Sequence, residues 1–212
     1  ESSANEGNLS GASVNHQYSK SFAFEHDFQQ YAHKNLMPDI HYFSLLRPFN
    51  ELQIAKYFAA LPQYHAVFRS CNAGSKRNVW CRNCAKCLFV CGILSPFLPP
   101  EQLSAIFGEN LLERDELREI FDGLAGFSPL KPFECVGTQE ELRFALALAA
   151  RQYRARGEAL PALLQYFTQH ADWEALSSDG SLLNAWNPQA RNPRLLFSLI
   201  IKEMHNYAAG IA

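Results

Sequence analysis

Apolar side chains recur at helical spacing along most of this chain. Near the N-terminus Phe24, Phe28 and Tyr31 stand four and three positions apart, and a serine at position 19 or 21 precedes them. Serine is a favoured N-cap residue, because its hydroxyl accepts a hydrogen bond from a free amide of the first turn. The pattern therefore predicts a helix over residues 22–34.

Two N-terminal stretches lack this spacing. Residues 1–15 are rich in Asn, Ser and Gly, which predicts a loop, and residues 39–45 have the aromatic and apolar content of a strand. Beyond residue 50 the pattern is helical almost throughout, and helices are predicted over residues 50–61, 100–107, 113–124, 142–153, 161–170 and 193–207. The sequence predicts a chain that is mainly α.

Composition and charge narrow the class of protein. Of 212 residues, 48% are hydrophobic and 19% are charged, and the net charge is −2. This composition is globular, and it provides no overall positive field that would attract nucleic acid. The longest apolar runs, 88–94 and 144–150, are far shorter than the roughly 20 residues of a membrane span. The polar, acidic start differs from a signal peptide. We expect a cytoplasmic protein with neither a nucleic-acid nor a membrane partner.

The cysteines are concentrated in one short stretch. Of the six cysteines, all except Cys135 fall within residues 71–91. Disulfide-rich secreted domains spread their cysteines along the chain, whereas tight clustering without a signal peptide is typical of a metal site. The stretch is therefore predicted to bind a metal ion in a reducing compartment.

Two overlapping Cys-x-x-Cys steps provide three ligands, Cys81, Cys84 and Cys87, and the fourth ligand is either Cys71 or Cys91. With Cys71 the set is a closed, structural zinc site of four thiolates. With Cys91 the spacing matches a bacterial iron–sulfur run. That run is normally followed by Pro and accompanied by a second run, and this chain has neither feature. Zinc on the first set is favoured.

Four cations surround these cysteines, namely Lys76, Arg77, Arg82 and Lys86. Four thiolates on Zn²⁺ carry a net charge near −2, which nearby cations would offset. The alternative is that the cations bind a phosphate or a nucleic acid. Local compensation is favoured, because the chain as a whole is not basic.

Six blocks of sequence together resemble one enzyme family. They are residues 3–8 (SANEGN), 14–21 (VNHQYSKS), 42–48 (YFSLLRP), 68–72 (FRSCN), 80–87 (WCRNCAKC) and 131–138 (KPFECVGT). In this order they resemble the bacterial UDP-N-acetylmuramoyl-L-alanyl-L-glutamate epimerases. The cysteine spacing is also similar to that of the PP-loop ATP pyrophosphatases.

The resemblance implies a bacterial, cytoplasmic isomerase of peptidoglycan biosynthesis, with roles in cell wall biogenesis and cell shape. It would use ATP and Mg²⁺ to invert the terminal glutamate of UDP-MurNAc-L-Ala-L-Glu through an acyl-adenylate. Adenylation removes the carboxylate charge that opposes carbanion formation at Cα, so an ordinary side-chain base can then move the proton. The implied fold is the C-terminal part of an α/β, Rossmann-like PP-loop enzyme with a structural zinc knuckle.

One feature departs from this family. The resemblance implies a Ser-Gly-Gly-x-x-Ser loop for the ATP phosphates, and no such loop occurs here. We therefore expect the chain to be the C-terminal portion of the enzyme, inactive without the missing part. The predicted division is a catalytic part over residues 1–156, with the knuckle at 71–91, and a helical tail over 157–212.

Candidate catalytic residues lie in two of the polar blocks. Glu134 and Cys135 precede a predicted helix start, where an anion is favoured, and either could exchange the Cα proton. The amides of Gly137 and Thr138 could instead hold a substrate carboxylate. The simpler interpretation is that Cys135 fills the interior and Thr138 caps the helix.

His16 and Lys20 could contact phosphate or a substrate carboxylate, and the alternative is an ordinary capped loop. Arg47 and Arg69 could bind the glutamate or the diphosphate in bidentate fashion, and the alternative is surface ion pairing.

Two other functions also stay open. One is a PP-loop ATP pyrophosphatase acting on a nucleotide or tRNA base, and the other is a non-catalytic zinc-binding module. The oligomeric state is not predicted.

Overall fold

The computed structural model describes residues 6–9, 12–15, 18–129, 132, 134–178, 180–188 and 202. Within these residues the chain is mainly helical, as the pattern predicts. The strands are β1 (Glu6–Leu9) and β2 (Ala12–Asn15), and the helices are α1 (Phe22–Asn35), α2 (Glu51–Ala59), α3 (Ala85–Leu94), α4 (Pro100–Phe107), α5 (Arg118–Ala125), α6 (Gln139–Ala155), α7 (Ala162–His170), α8 (Trp173–Ser178) and α9 (Ser181–Asn184).

The chain divides into two compact units. One consists of Glu1–Asn50 with Ala185–Ala212, and the other is Glu51–Asn184. The sequence-based boundary at residue 156 stays a prediction. None of the helices in the described ranges is long and apolar enough to cross a membrane.

The first unit begins with a hairpin where the composition predicts a loop. Strands β1 and β2 pair antiparallel, with Glu6 opposite Asn15 and Leu9 opposite Ala12. The prediction is wrong here because strand pairing uses backbone groups, which a composition rich in Asn, Ser and Gly does not exclude. A two-residue connection is also short enough for an antiparallel hairpin.

Helix α1 begins where the capping pattern predicts. The Oγ of Ser21 accepts a 3.1 Å hydrogen bond from the amide of Phe24, which satisfies one free donor of the first turn. The helix ends at Asn35, one residue beyond the predicted end.

The strand predicted over residues 39–45 does not form. Side chains of α1 satisfy the backbone of this segment: Gln29 Oε1 accepts from the amide of Tyr42 at 3.0 Å, and Glu25 Oε2 accepts from the amide of Ser44 at 2.8 Å. Because these amides bond to side chains instead of a neighbouring strand, the segment adopts turns and irregular structure.

The second unit is built on the packing of α3 against α6. Nearly every residue of α3 is buried, and the helices approach so closely that a Cβ on Gly92 would lie 2.7 Å from a methyl group of Leu142. A row of rings, Phe58, Phe68, Trp80 and Phe107, continues this core toward the cysteine stretch, with centroids 4.6, 5.4 and 4.7 Å apart. The core thereby anchors the residue that precedes Cys81.

Helix α6 starts with the capping box that the sequence predicts. Thr138 Oγ1 accepts from the amide of Glu141, and Glu141 Oε2 accepts from the amide of Thr138 at 2.7 Å. Glu141 Oε1 also accepts from the amide of Glu51 at 2.8 Å. One buried carboxylate therefore satisfies amides at the starts of both α2 and α6.

The remaining differences concern helix limits. Helix α5 begins at Arg118, after two short 3₁₀ turns at Leu111–Glu113 and Asp115–Leu117, whereas the prediction starts at residue 113. Helices α8 and α9 are too short for periodicity to indicate. The helix predicted over 193–207 lies outside the described residues, apart from position 202.

Candidate metal centre and adjoining pocket

Four cysteine sulfurs converge between the aromatic row and the start of α3. The Sγ atoms of Cys71, Cys81, Cys84 and Cys87 all lie within 4.8 Å of one another. The separations are 3.9 Å for Cys71–Cys84, 3.7 Å for Cys81–Cys87 and 3.5 Å for Cys84–Cys87. None of the four forms a disulfide. The structure thus brings together the four cysteines of the zinc interpretation.

These separations suit one tetrahedral ion. Four sulfurs at about 2.3 Å from a central Zn²⁺ stand about 3.8 Å apart. In the four-iron cluster typical of the bacterial run each thiolate binds a different iron, which holds the sulfurs farther apart. The sulfur group can therefore hold a single metal ion such as zinc.

Cys91 lies apart from this group. Its side chain is 0% exposed, and its Sγ is directed toward Asn110 Oδ1 at 3.9 Å. Burial raises the pKa of Cys91 to about 12, so this thiol stays protonated near neutrality. A protonated thiol is a poor metal ligand, and the iron–sulfur spacing, which needs Cys91, finds no support in this arrangement.

The loop between Cys71 and Cys81 is shaped by backbone contacts to sulfur. The Cys71 Sγ accepts from the amides of Gly74 at 3.2 Å and Cys81 at 3.4 Å. A Cβ on Gly74 would lie 1.8 Å from the carbonyl oxygen of Val79, so this position has no room for a side chain. Asn78 takes the left-handed conformation, with φ 53°, that Asn tolerates better than most residues.

Hydrogen bonds among the sulfurs give the cysteines of this group different pKa values. The thiols of Cys84 and Cys87 are hydrogen-bonded at 3.5 Å, and this contact lowers the pKa of Cys84 to about 5 and raises the pKa of Cys87. Burial raises the pKa of Cys81. Metal ions bind thiolates, so an ion entering this group would displace the protons of Cys81 and Cys87.

A pocket of about 330 Å³ opens next to this loop in the second unit. Its walls are mainly apolar side chains of α2 and α3, including Phe58 and Phe89. Lys86, which lies between Cys84 and Cys87 in sequence, lines the pocket together with Cys135. The pocket therefore combines an apolar wall, a cation and a thiol.

Asn72 connects two polar side chains at this place. Its Oδ1 accepts from the Lys86 ammonium at 3.2 Å, and its Nδ2 donates to Glu134 Oε2 at 3.0 Å. An ammonium only donates and a carboxylate only accepts, so these partners fix the orientation of the amide. The structure thus places Glu134 beside the loop that follows Cys71, and Cys135 in the lining of the pocket.

The other candidate residues are dispersed. In the first unit Arg47 donates to Glu25 Oε2 through Nε at 3.0 Å and Nη2 at 2.8 Å, and to the Lys20 carbonyl at 3.1 Å. Both Arg47 and Glu25 are buried, and Lys20 is exposed in a 3₁₀ turn.

Arg69, in the second unit, donates to the Phe68 carbonyl. His16 lies outside the described residues. Substrate binding by these residues stays a prediction.

The structure also shows the contacts of the candidate amide of Thr138 and the positions of the cations near the cysteines. The Thr138 amide donates to Glu141, so it serves the helix cap instead of a ligand. Arg82 lies 3.7 Å from Glu109, and Lys76 is exposed in the turn Ser75–Arg77. Lys86 alone among the four cations lines the pocket.

Two residues of the candidate site, Gly74 and Asn72, were not predicted from the sequence. Gly74 stands three residues after Cys71, a position from which its amide reaches the sulfur, and this spacing was the available signal. Asn72 contacts Lys86, and it also contacts Glu134, which lies 62 positions later in the sequence. No local pattern reveals such a distant contact.

Comparison with known proteins identifies the family. The family model of the MurL C-terminal domain matches residues 67–179, which include the sulfur group and most of the pocket. The chain belongs to the MurL family. The model of the MurL N-terminal domain matches residues 1–45. No solved structure matches the chain.

The MurL relatives carry one name. A protein of Xanthomonas oryzae pv. oryzae, named UDP-N-acetyl-alpha-D-muramoyl-L-alanyl-L-glutamate epimerase, is 42% identical over 69% of this chain and 34% of its own length. Proteins of the same name from Micromonospora sp. and Salinispora tropica are 37% and 40% identical, over 41% and 35% of their lengths. The chain thus spans about a third to two fifths of these relatives.

Proposed function

We propose that this chain is part of an epimerase that converts the terminal L-glutamate of UDP-MurNAc-L-Ala-L-Glu to D-glutamate during peptidoglycan synthesis. The observation that carries the proposal is the match of the MurL C-terminal domain to residues 67–179. Relatives at 37–42% identity that carry the name of this epimerase support it.

ATP with Mg²⁺ is proposed to activate the glutamate carboxylate by adenylation, with release of pyrophosphate. A free carboxylate opposes removal of its α-proton, because the resulting carbanion would stand beside a negative charge. An acyl-adenylate lacks that charge, so a side-chain base suffices. The chain contains no Ser-Gly-Gly-x-x-Ser loop. We therefore assign the ATP phosphates, and the PP-loop fold that would bind them, to the part of the whole enzyme outside this chain.

In this proposal the pocket receives the reacting glutamate. Cys135 lines the pocket and Glu134 is held beside the loop by Asn72, and these two groups are proposed to exchange the proton at Cα. Cys71, Cys81, Cys84 and Cys87 would hold zinc. A closed set of four thiolates leaves no position for substrate, so the ion would stabilise the loop without taking part in the reaction.

The test uses the full-length enzyme that contains this chain. It is incubated with ATP, Mg²⁺ and UDP-MurNAc-L-Ala-L-Glu, and AMP release and the configuration of the glutamate are followed together. We expect AMP to form with a D-glutamyl product, and neither to form when ATP is omitted. A purified, zinc-loaded enzyme that releases AMP only with a nucleotide or tRNA substrate contradicts the proposal. So does one that binds zinc and converts none of these substrates.

A further inference from the structure

Lys86 carries a positive charge into a pocket whose walls are mainly apolar. Its ammonium donates to Asn72 Oδ1. Within the described part of the chain, Lys86 has neither a carboxylate partner nor a hydrogen bond to a cysteine sulfur. The hydrogen bond between the Lys86 ammonium and Asn72 is exposed, so the charged group is accessible to solvent at the pocket. The ammonium is therefore accessible to an anion that enters the pocket.

The surroundings of Lys86 hold its charge in place. Asn72 accepts from the ammonium, and its other end is fixed by Glu134. Asn72 directly follows Cys71, and Lys86 directly precedes Cys87, so the sulfur group fixes the backbone at both partners. An ammonium has three donors, and Asn72 uses one of them. Lys86 is thus a positioned donor with capacity for a ligand.

The pocket walls limit which anion fits. Phosphates and diphosphates are usually bound by several donors, such as backbone amides or arginines. This pocket is lined by one cation, Lys86, and one acidic residue, Glu51, among apolar side chains such as Phe58. A carboxylate at the end of a short aliphatic chain matches both features, because its methylene groups contact the apolar wall while its charge meets the ammonium.

We propose that this pocket binds a carboxylate-terminated aliphatic side chain, with Lys86 as the residue that recognises the carboxylate. The identity of that side chain rests on the proposed function: it would be the γ-carboxyl arm of the terminal glutamate, which stays anionic when the α-carboxylate is activated. Lys86 is then the specificity-determining residue for glutamate over glutamine.

The first experiment tests the anion site without turnover, using Cys135 as the reporter. Zinc-loaded full-length enzyme is alkylated with iodoacetate, which is anionic, or with iodoacetamide, which is neutral, and labelling of Cys135 is followed by peptide mass spectrometry. The thiolate population affects both reagents equally, so the ratio of the two rates reports the local preference for an anion. We expect Lys86→Met to lower this ratio by about tenfold, the effect of losing one nearby charge.

Two variants serve as controls in this experiment. Lys76→Met removes an exposed cation from the same loop but not from the pocket, and its ratio is expected to match the wild type. Lys86→Arg keeps the charge and should preserve most of the ratio. An unchanged ratio in Lys86→Met, with zinc content and tryptophan emission as in the wild type, overturns the anion site.

The second experiment identifies the ligand. Binding of UDP-MurNAc-L-Ala-L-Glu and of the matching L-glutamine analogue is measured by calorimetry. We expect the wild type to prefer the glutamate compound by tenfold or more, and Lys86→Met to lose this preference by weakening only that compound. A preference that persists in Lys86→Met overturns the assignment to Lys86. Failure of the proposed function is separate: neither compound then binds the wild type, while the alkylation ratio still depends on Lys86.

Discussion

The backbone amide of Gly74 donates a 3.2 Å hydrogen bond to the sulfur of Cys71. A methyl group on Gly74 would lie 1.8 Å from the carbonyl oxygen of Val79, so Gly74→Ala must displace the loop that carries this amide. We expect the variant to lose about 2–3 kcal/mol of unfolding free energy, as over-packed sites do, and to bind zinc at least tenfold more weakly. Denaturant unfolding and competition with a chelator measure the two effects.

The matched control is Gly180→Ala. A Cβ at Gly180 would meet only Asn184, at the ordinary distance of 3.7 Å, so this variant should stay within about 0.5 kcal/mol of the wild type. Equal zinc affinity in Gly74→Ala and the wild type would contradict the role given to this glycine.

Serine substitutions distinguish the two candidate fourth ligands. Cys71→Ser replaces one of the four converging sulfurs, so zinc bound per chain should fall from about one to well below half after dialysis, since three ligands hold zinc less tightly. Cys91→Ser changes a buried thiol outside the group and should keep its zinc. Elemental analysis reads the result, and a brown protein that loses its colour in Cys91→Ser would support the iron–sulfur alternative.

Metal affinity should rise with pH. Burial raises the pKa of Cys81, and the contact with Cys84 raises the pKa of Cys87, so both thiols carry protons that must leave when a metal binds. Cys84, with a pKa of about 5, has already lost its proton near neutrality. Because the metal-free form holds more protons, acid favours it and alkali favours the complex. Zinc affinity measured between pH 6 and 8 should increase at least tenfold, and a flat profile would contradict these proton affinities.

Glu141 should contribute more to stability than its neighbour Glu140. The Glu141 carboxylate accepts from the amides of Glu51 and Thr138 and is buried, whereas Glu140 is exposed. Glu141→Ala leaves both amides without that acceptor and should cost about 2–4 kcal/mol. Glu140→Ala should change the unfolding free energy by no more than about 0.5 kcal/mol. Equal costs in urea unfolding would show that the shared carboxylate is not important.

Exchange of the Cα proton tests Glu134 and Cys135. Full-length enzyme turns over UDP-MurNAc-L-Ala-L-Glu in deuterated water, and deuterium at the glutamate Cα is measured by mass spectrometry. If these groups move the proton, Glu134→Gln and Cys135→Ser should each slow deuterium uptake by about 10²-fold or more. The control Glu140→Gln, in an exposed carboxylate, should match the wild type. Unchanged uptake in both test variants would dismiss the two residues.

Local patterns predict much of this molecule because their physics is local. The cap of α1 at Ser21, the capping box of Thr138 and Glu141, and the four converging cysteines each depend on residues close in sequence, whose spacing determines which atoms can meet. The predicted strand at 39–45 fails for a different reason. Its amides find partners on Gln29 and Glu25, 13 and 19 positions away, and no periodicity within the segment indicates those contacts.

The pocket is even harder to predict from local patterns, because its lining residues are distant from one another in the sequence. Lys86 lies on α3, and the apolar wall comes mainly from α2 and α3, whereas Cys135 lies in the segment before α6. Asn72 is hydrogen-bonded to Lys86 and to Glu134, the neighbour of Cys135. The position of Glu134 and Cys135 before a helix indicates from sequence alone that they are candidate catalytic residues. It does not indicate that Lys86 lies on the same surface, because that proximity arises only when α3 packs within the core.

All four cysteines of the sulfur group lie within residues 71–87, whereas the residues that pack against α3, such as Leu142, lie more than fifty positions later. A growing polypeptide can therefore enclose the ion while α6 is still unsynthesised. Ion capture would then fix the first turn of α3 before its apolar surface has anything to pack against. Zinc supply during translation, and not only after release of the chain, would then affect how many chains fold.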